Sequence, residues 1–154
     1  MCYVQIHENI YYGLFGGLKL IIDRTTGYFN ATQLCREGGK NYKNWIRNKD
    51  STSLVEYVQR IRNLPAFYNV NNGPSAQCDI IRGTYVPKEL ILAVASWLSP
   101  EFYLMCSDVV NDVLINDFKL RCNEFEHNNE LLQTFLQEAE DKMQQLKTSR
   151  CENQ

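Results

Sequence analysis

Arg36, Lys40, Lys43 and Arg47 stand within a dozen residues of one another, and Asn44 and Asn48 lie among them. Cations supply point charges for phosphate, and amides can meet base edges or sugars. Together these residue types point to nucleic-acid contact, with the six residues as candidate contacts.

On a helical wheel from Tyr42 to Lys49, Tyr42, Trp45 and Ile46 share one face at the i, i+3, i+4 spacing of a core stripe. Lys43 and Arg47 then project together on one flank, and Asn44 and Asn48 form the adjacent exposed strip. Gly38-Gly39 lets the chain turn sharply between a short helix at Ala31 to Arg36 and this basic helix, the layout of a helix-turn-helix module. The competing reading of the same spacing is a solvated helix surface carrying ordinary lysines.

These helices need a scaffold, and the flanking sequence supplies one. Tyr11 to Phe15 and Leu18 to Asp23, separated by Gly16-Gly17, read as a β-hairpin. The turn Arg24 to Gly27 leads into a short strand at Tyr28-Phe29, and Asn30 reads as the cap of the next helix. Ser53-Leu54-Val55-Glu56 has the capping-box pattern and predicts a helix to about Arg62, with Leu54, Val58 and Ile61 facing inward and Leu64-Pro65 stopping it. Asn69 to Gln77 is rich in turn formers and reads as a loop or wing. Ile80-Ile81 and Thr84 to Val86, joined at Arg82-Gly83, predict a small β element with Arg82 at its tip as a seventh contact. Pro87 opens a helix to Trp97 whose continuous apolar character marks it as the core helix, and Ser99-Pro100 caps and starts the last helix.

Several blocks in this order carry a resemblance: Gly27-Tyr28-Phe29-Asn30-Ala31-Thr32 with Leu34-Cys35, Lys43-Asn44-Trp45, Gly83-Thr84-Tyr85-Val86-Pro87, and Ala95-Ser96-Trp97-Leu98-Ser99-Pro100-Glu101-Phe102. Over roughly residues 10 to 112 the chain resembles the KilA-N domain of large DNA viruses and phages. The resemblance implies a small α+β DNA-binding module, similar in fold to the fungal APSES domain, working in the host cytoplasm at viral replication sites. The poxvirus members it most resembles often carry a RING zinc finger after the domain and act as ubiquitin ligases. Here Cys2, Cys35, Cys78, Cys106, Cys122 and Cys151 are scattered with no C-x-x-C pair, so no zinc site is expected and ligase activity does not carry over.

The overall charge of −2 conceals a division. Residues 1–62 hold nine Lys/Arg against five Asp/Glu, whereas residues 111–154 hold five against nine. Positive charge therefore gathers where polyanion contact is expected. No secretory signal is expected at the N-terminus, and the longest apolar stretch, Leu90 to Leu98, falls well short of the roughly 20 residues that span a bilayer. Scattered cysteines then read as free thiols of a reducing, intracellular compartment.

Catalysis finds little in this sequence. His7 and His127, the two histidines, sit in an N-terminal strand region and on the outer face of a long helix, with no nucleophile paired to either. Gly13 to Gly17 lacks the spacing of a dinucleotide fingerprint. No enzyme activity, cofactor or metal is expected.

The last part of the chain follows a different pattern. Ile115, Cys122, Asn129, Leu136 and Met143 recur every seven residues, and Phe118, Phe125, Leu132, Ala139 and Leu146 recur every seven in the alternate spacing. This is the a/d seam of a coiled coil, with Asn129 as a register-setting polar position and Arg121 able to meet Glu126 of a parallel partner. Packing of the same helix on its own domain is the alternative. The sequence thus predicts an α+β KilA-N/APSES-like domain over residues 1–112, with β-hairpins and helix-turn-helix-like helices, followed by a coiled-coil oligomerisation helix over residues 113–154. The expected partners are DNA, as duplex, and a second copy of the chain as homodimer or higher oligomer. Two rival readings are an adaptor whose acidic coil recruits a viral or host protein, and a binder of single strands or RNA.

Overall fold

A computed structural model describes residues 2–71 and 76–152. The chain forms two compact units, Met1–Asp112 and Val113–Gln154. The fold is α+β: a six-stranded antiparallel sheet with helices, and a long C-terminal helix.

The sheet begins with β1 (Cys2–His7), β2 (Ile10–Phe15) and β3 (Leu18–Asp23). Strands β2 and β3 pair from Ile10–Asp23 to Phe15–Leu18, which leaves Gly16 and Gly17 as a two-residue turn. Both glycines have positive φ, 55° and 89°, as a hairpin turn matching the strand twist requires. Strand β4 (Tyr28–Asn30) follows after the expected turn. It gives way at once to helix α1 (Ala31–Glu37), because Asn30 Oδ1 accepts the Gln33 N–H at 3.0 Å.

Helix α2 (Tyr42–Ile46) and helix α3 (Lys49–Arg62) differ from the expected arrangement. The wheel drawn from Tyr42 to Lys49 breaks after Ile46: Arg47 caps α2, and Asn48, with ψ of 138°, is the extended cap residue of α3. Thr52 holds this corner, since its hydroxyl lies 3.0 Å from the Ile46 carbonyl and 3.1 Å from that of Asn48. Helix α3 consequently starts four residues before the Ser53 capping box, which lies inside it. Its buried residues are Ser51, Val55 and Val58. Ile61, expected inside, is 60% exposed. Asn63, in the left-handed conformation, terminates the helix one residue before Leu64-Pro65.

The segment read as a loop from Asn69 to Gln77 contains structure at both ends. Strand β5 (Tyr68–Val70) enters it and helix α4 (Ala76–Ile81) leaves it, while residues 72–75 lie outside the described residues. Ile80-Ile81 therefore belongs to a helix, and only β6 (Gly83–Val86) remains of the expected β element. Strand β6 pairs with both β4 and β5, giving the order β1-β2-β3-β4-β6-β5. Tertiary contacts override the β propensity of the isoleucine pair: Ile81 is buried, and its carbonyl accepts from Asn30 Nδ2 at 3.2 Å and from the Tyr85 hydroxyl at 2.7 Å.

Helix α5 (Lys88–Leu98), with Pro87 as its cap residue, packs with α1 on β4 and β6 and buries Leu90, Ile91, Val94, Ala95 and Leu98. Trp97 of this helix is only half-buried. Helix α6 (Pro100–Glu152) starts as expected, with Ser99 Oγ accepting the Phe102 N–H at 3.1 Å. Within the first unit it buries Cys106, Val109 and Val110. In the second unit every residue from Phe118 to Arg150 is exposed.

Candidate nucleic-acid interface

Tight capping fixes the direction of the cations. The α1–α2 turn closes with Lys40 N donating to Cys35 O at 2.9 Å and Gly39 N to Arg36 O at 3.1 Å. Asn41 then caps α2, its Oδ1 accepting the Lys43 N–H at 3.0 Å. Trp45, 2% exposed, anchors α2 in the core, and the Tyr42 ring stacks on it with centroids 5.7 Å apart.

These elements border a groove of ≈ 420 Å³. Arg36, Lys40 and Lys43 line it together with Asn41, Tyr42 and Ile46, and Thr32 and Thr84 form the remaining wall. No carboxylate is among the lining residues. Thr32 Oγ1 accepts the Thr84 N–H at 3.0 Å, and the Thr84 hydroxyl lies 2.7 Å from Asn69 Oδ1, so β6 is tied to α1 on one side and to β5 on the other. Burial, with the Cys35 thiol nearby as a smaller influence, pushes the Tyr42 phenol up to about 12, so it stays a neutral donor at physiological pH. Burial also pushes the Cys35 thiol up to about 12, against the opposing pull of Lys40, which leaves it a packed, unreactive side chain.

The residues expected from sequence divide into three groups. Arg36, Lys40 and Lys43 share the groove. Of these, Lys40 is also tethered, its ammonium donating to the Trp97 carbonyl at 3.1 Å and lying 4.5 Å from the centre of the indole. Asn44, Arg47 and Asn48 are exposed but do not line the groove, and the end of α2 at Ile46 takes Asn48 off the α2 face. Arg82 follows α4 rather than occupying a hairpin tip: its guanidinium lies 3.0 Å from the Asp79 carboxylate and its carbonyl accepts from Asn30 Nδ2 at 3.1 Å. Sequence reasoning missed Thr32, Asn41, Ile46 and Thr84 as groove residues. Asn41 was findable as an extended cap before Tyr42, but nothing in the sequence brings Thr84 beside Thr32.

Among known protein families, the KilA-N domain model matches residues 13–116. This chain belongs to the KilA-N family. A KilA-N domain-containing protein of Invertebrate iridescent virus 6 is 41% identical over 133 residues, covering 82% of this chain and 37% of the relative. A second from the same virus is 37% identical over 148 residues, covering 94% of this chain and 40% of its own length. A relative in Acanthamoeba polyphaga mimivirus is 34% identical over 96 residues, or 60% of this chain and 25% of the relative. The chain thus spans well under half the length of these relatives. No solved structure matches it significantly. In this KilA-N domain the family match takes in every groove residue, from Thr32 to Thr84.

Proposed function

We propose that the KilA-N domain binds nucleic acid, duplex DNA foremost, by seating sugar-phosphate backbone against Arg36, Lys40 and Lys43. Arg47, Asn44 and Asn48 extend the contact along the adjoining surface, and Arg82, between α4 and β6, adds a further cation. The observation that carries this reading is a groove holding three cations and no carboxylate. Such a lining attracts polyanions and disfavours cationic partners, and it gives affinity with little dependence on sequence. It assigns the chain no catalytic step, and the free thiols of Cys35, Cys106 and Cys122 among the described residues fit a reducing compartment. No helix among the described residues is long and apolar enough to cross a membrane.

Self-association is the second part of the proposal. Phe118, Phe125 and Leu146 on the heptad seam are 69%, 71% and 70% exposed. A seam this apolar is favourable when a second copy covers it. Tethering two weak modules raises affinity for long DNA without any new contact. The adaptor reading draws on the same exposed seam and the net acidity of the segment.

The decisive experiment titrates duplex DNA, single-stranded DNA and RNA of one length across a salt series. Duplex affinity is expected to fall linearly on a log–log plot, and Lys43→Ala with Arg47→Ala to weaken binding to every sequence and lower the slope by about two. Unchanged binding by a folded double variant overturns the assignment.

A further inference from the structure

The groove beside the α1–α2 turn is built for more than one phosphate group. Its ≈ 420 Å³ lies within the roughly 300–1,000 Å³ range of small-ligand sites. That exceeds the need of a phosphate ion, yet a whole duplex cannot enter, since even its major groove is about 12 Å wide. What fits is one nucleotide unit.

The lining is divided to suit such a unit. Arg36, Lys40 and Lys43 supply charge for the phosphate. Thr32 Oγ1 already accepts the Thr84 N–H at 3.0 Å, and no described residue takes its hydroxyl proton, which leaves that proton for an outside oxygen. Asn41 Oδ1 is likewise used in capping α2, so its amide N–H groups are the half of the side chain left to donate. Tyr42 and Ile46, both half-buried, add carbon surface to a site whose other side chains, Thr84 apart, offer donors. Stacking on Trp45 fixes the Tyr42 ring. A base or sugar can lie against that wall while the phosphate meets the cations.

We propose that this groove binds a nucleoside phosphate, presented by a strand end or unstacked nucleotide or as a free mononucleotide. The inference rests on the nucleic-acid reading and narrows it: one strand enters the groove, while the rest of a duplex contacts the outer surface through Arg47 and its neighbours.

Thymidine monophosphate, thymidine and inorganic phosphate serve as probes for the intact 154-residue chain, followed by amide chemical shifts. The monophosphate is expected to move the amides of Thr32, Arg36, Lys43 and Thr84, and to bind about tenfold or more tighter than either fragment, since charge and apolar contact then act together. Thr32→Val should lose about tenfold in that affinity and Thr32→Ser keep it, a rescue that mere packing does not give. Shift mapping on the unaltered chain decides the matter if the valine variant misfolds. Oligonucleotides with and without a 5′-phosphate distinguish strand end from free nucleotide: a preference for the phosphorylated end assigns the site to strands, and none assigns it to internal or free nucleotides. Phosphate binding as tightly as the monophosphate overturns the inference. So does a monophosphate that moves no groove amide while duplex still binds, an outcome that leaves the nucleic-acid reading standing. If duplex also fails to bind, both fall.

Discussion

Lys40 and Trp97 are joined twice: the lysine ammonium donates to the Trp97 carbonyl at 3.1 Å and stands 4.5 Å from the centre of its ring. This pair ties the α1–α2 turn to the C-terminal end of α5, so a residue expected to touch phosphate also holds the groove in shape. Lys40→Ala should lower stability by about 1 kcal/mol. It should also weaken DNA binding less than Lys43→Ala, because part of its charge is already satisfied. Parallel melting and binding curves check this, and a larger binding loss for Lys40→Ala refutes it.

The two tryptophans should differ. Trp45 is 2% exposed in the core, whereas Trp97 is half-buried. Trp45→Ala is expected to cost about 3–5 kcal/mol and Trp97→Ala clearly less. Chemical denaturation measures both. Loss of DNA binding in Trp45→Ala with an unchanged midpoint would make the ring a contact instead of an anchor.

Asn30 links more elements than any other buried polar residue described: its Oδ1 caps α1, and its Nδ2 donates to the Ile81 and Arg82 carbonyls at 3.2 and 3.1 Å. Gly83 leaves room for it, since a Cβ there falls 2.5 Å from Asn30 Oδ1 at a φ of +146°. Asn30→Ala should cost about 1–3 kcal/mol through the lost cap of α1 and the lost amide bonds to the two carbonyls, the Ile81 carbonyl keeping the Tyr85 hydroxyl. Gly83→Ala should also destabilise, through strain and crowding. Their combination should cost less than the sum, because removing the asparagine side chain relieves the shortest of the contacts, although that with Thr32 Cβ at 2.7 Å remains. Strict additivity in a double-mutant cycle counts against this geometry.

Thiol chemistry should separate by burial. Burial raises Cys35 and Cys106 from 9.0 to about 12, whereas Cys122 is exposed. A folded-state pKa above the unfolded one means stability is fully present below pH 9 and is lost as pH rises from there toward about 12. Residue-resolved alkylation of the native protein at neutral pH should modify Cys122 ahead of Cys35 and Cys106, which stay intact until unfolding. Melting temperature should fall on the alkaline side. Rapid native labelling of Cys35 contradicts the packing.

Truncation after Asp112 tests the role of the second unit. The shortened chain should be a folded monomer whose affinity for long duplex is lower by on the order of a hundredfold, with little change for a duplex too short for two modules. Asn129→Leu in the full chain should strengthen association while loosening its register. Sedimentation of the intact chain as a monomer at micromolar concentration removes the avidity argument.

What the sequence determined was local. Gly16-Gly17 encodes its hairpin because only glycine readily takes positive φ at both turn positions. Asn30 and Ser99 mark helix starts because a short polar side chain can reach the next turn's N–H groups. Separated blocks of residues were also enough to recognise the family. Tertiary structure decided whatever depended on distant partners. Ile80-Ile81, strand-like in isolation, became helical where Asn30 and Tyr85 claim the Ile81 carbonyl. Asn48 left the basic face because the corner pinned by Thr52 ends α2 at Ile46. The groove itself required β6 to bring Thr84 against Thr32, a contact across 52 residues that no helical period or motif spacing contains.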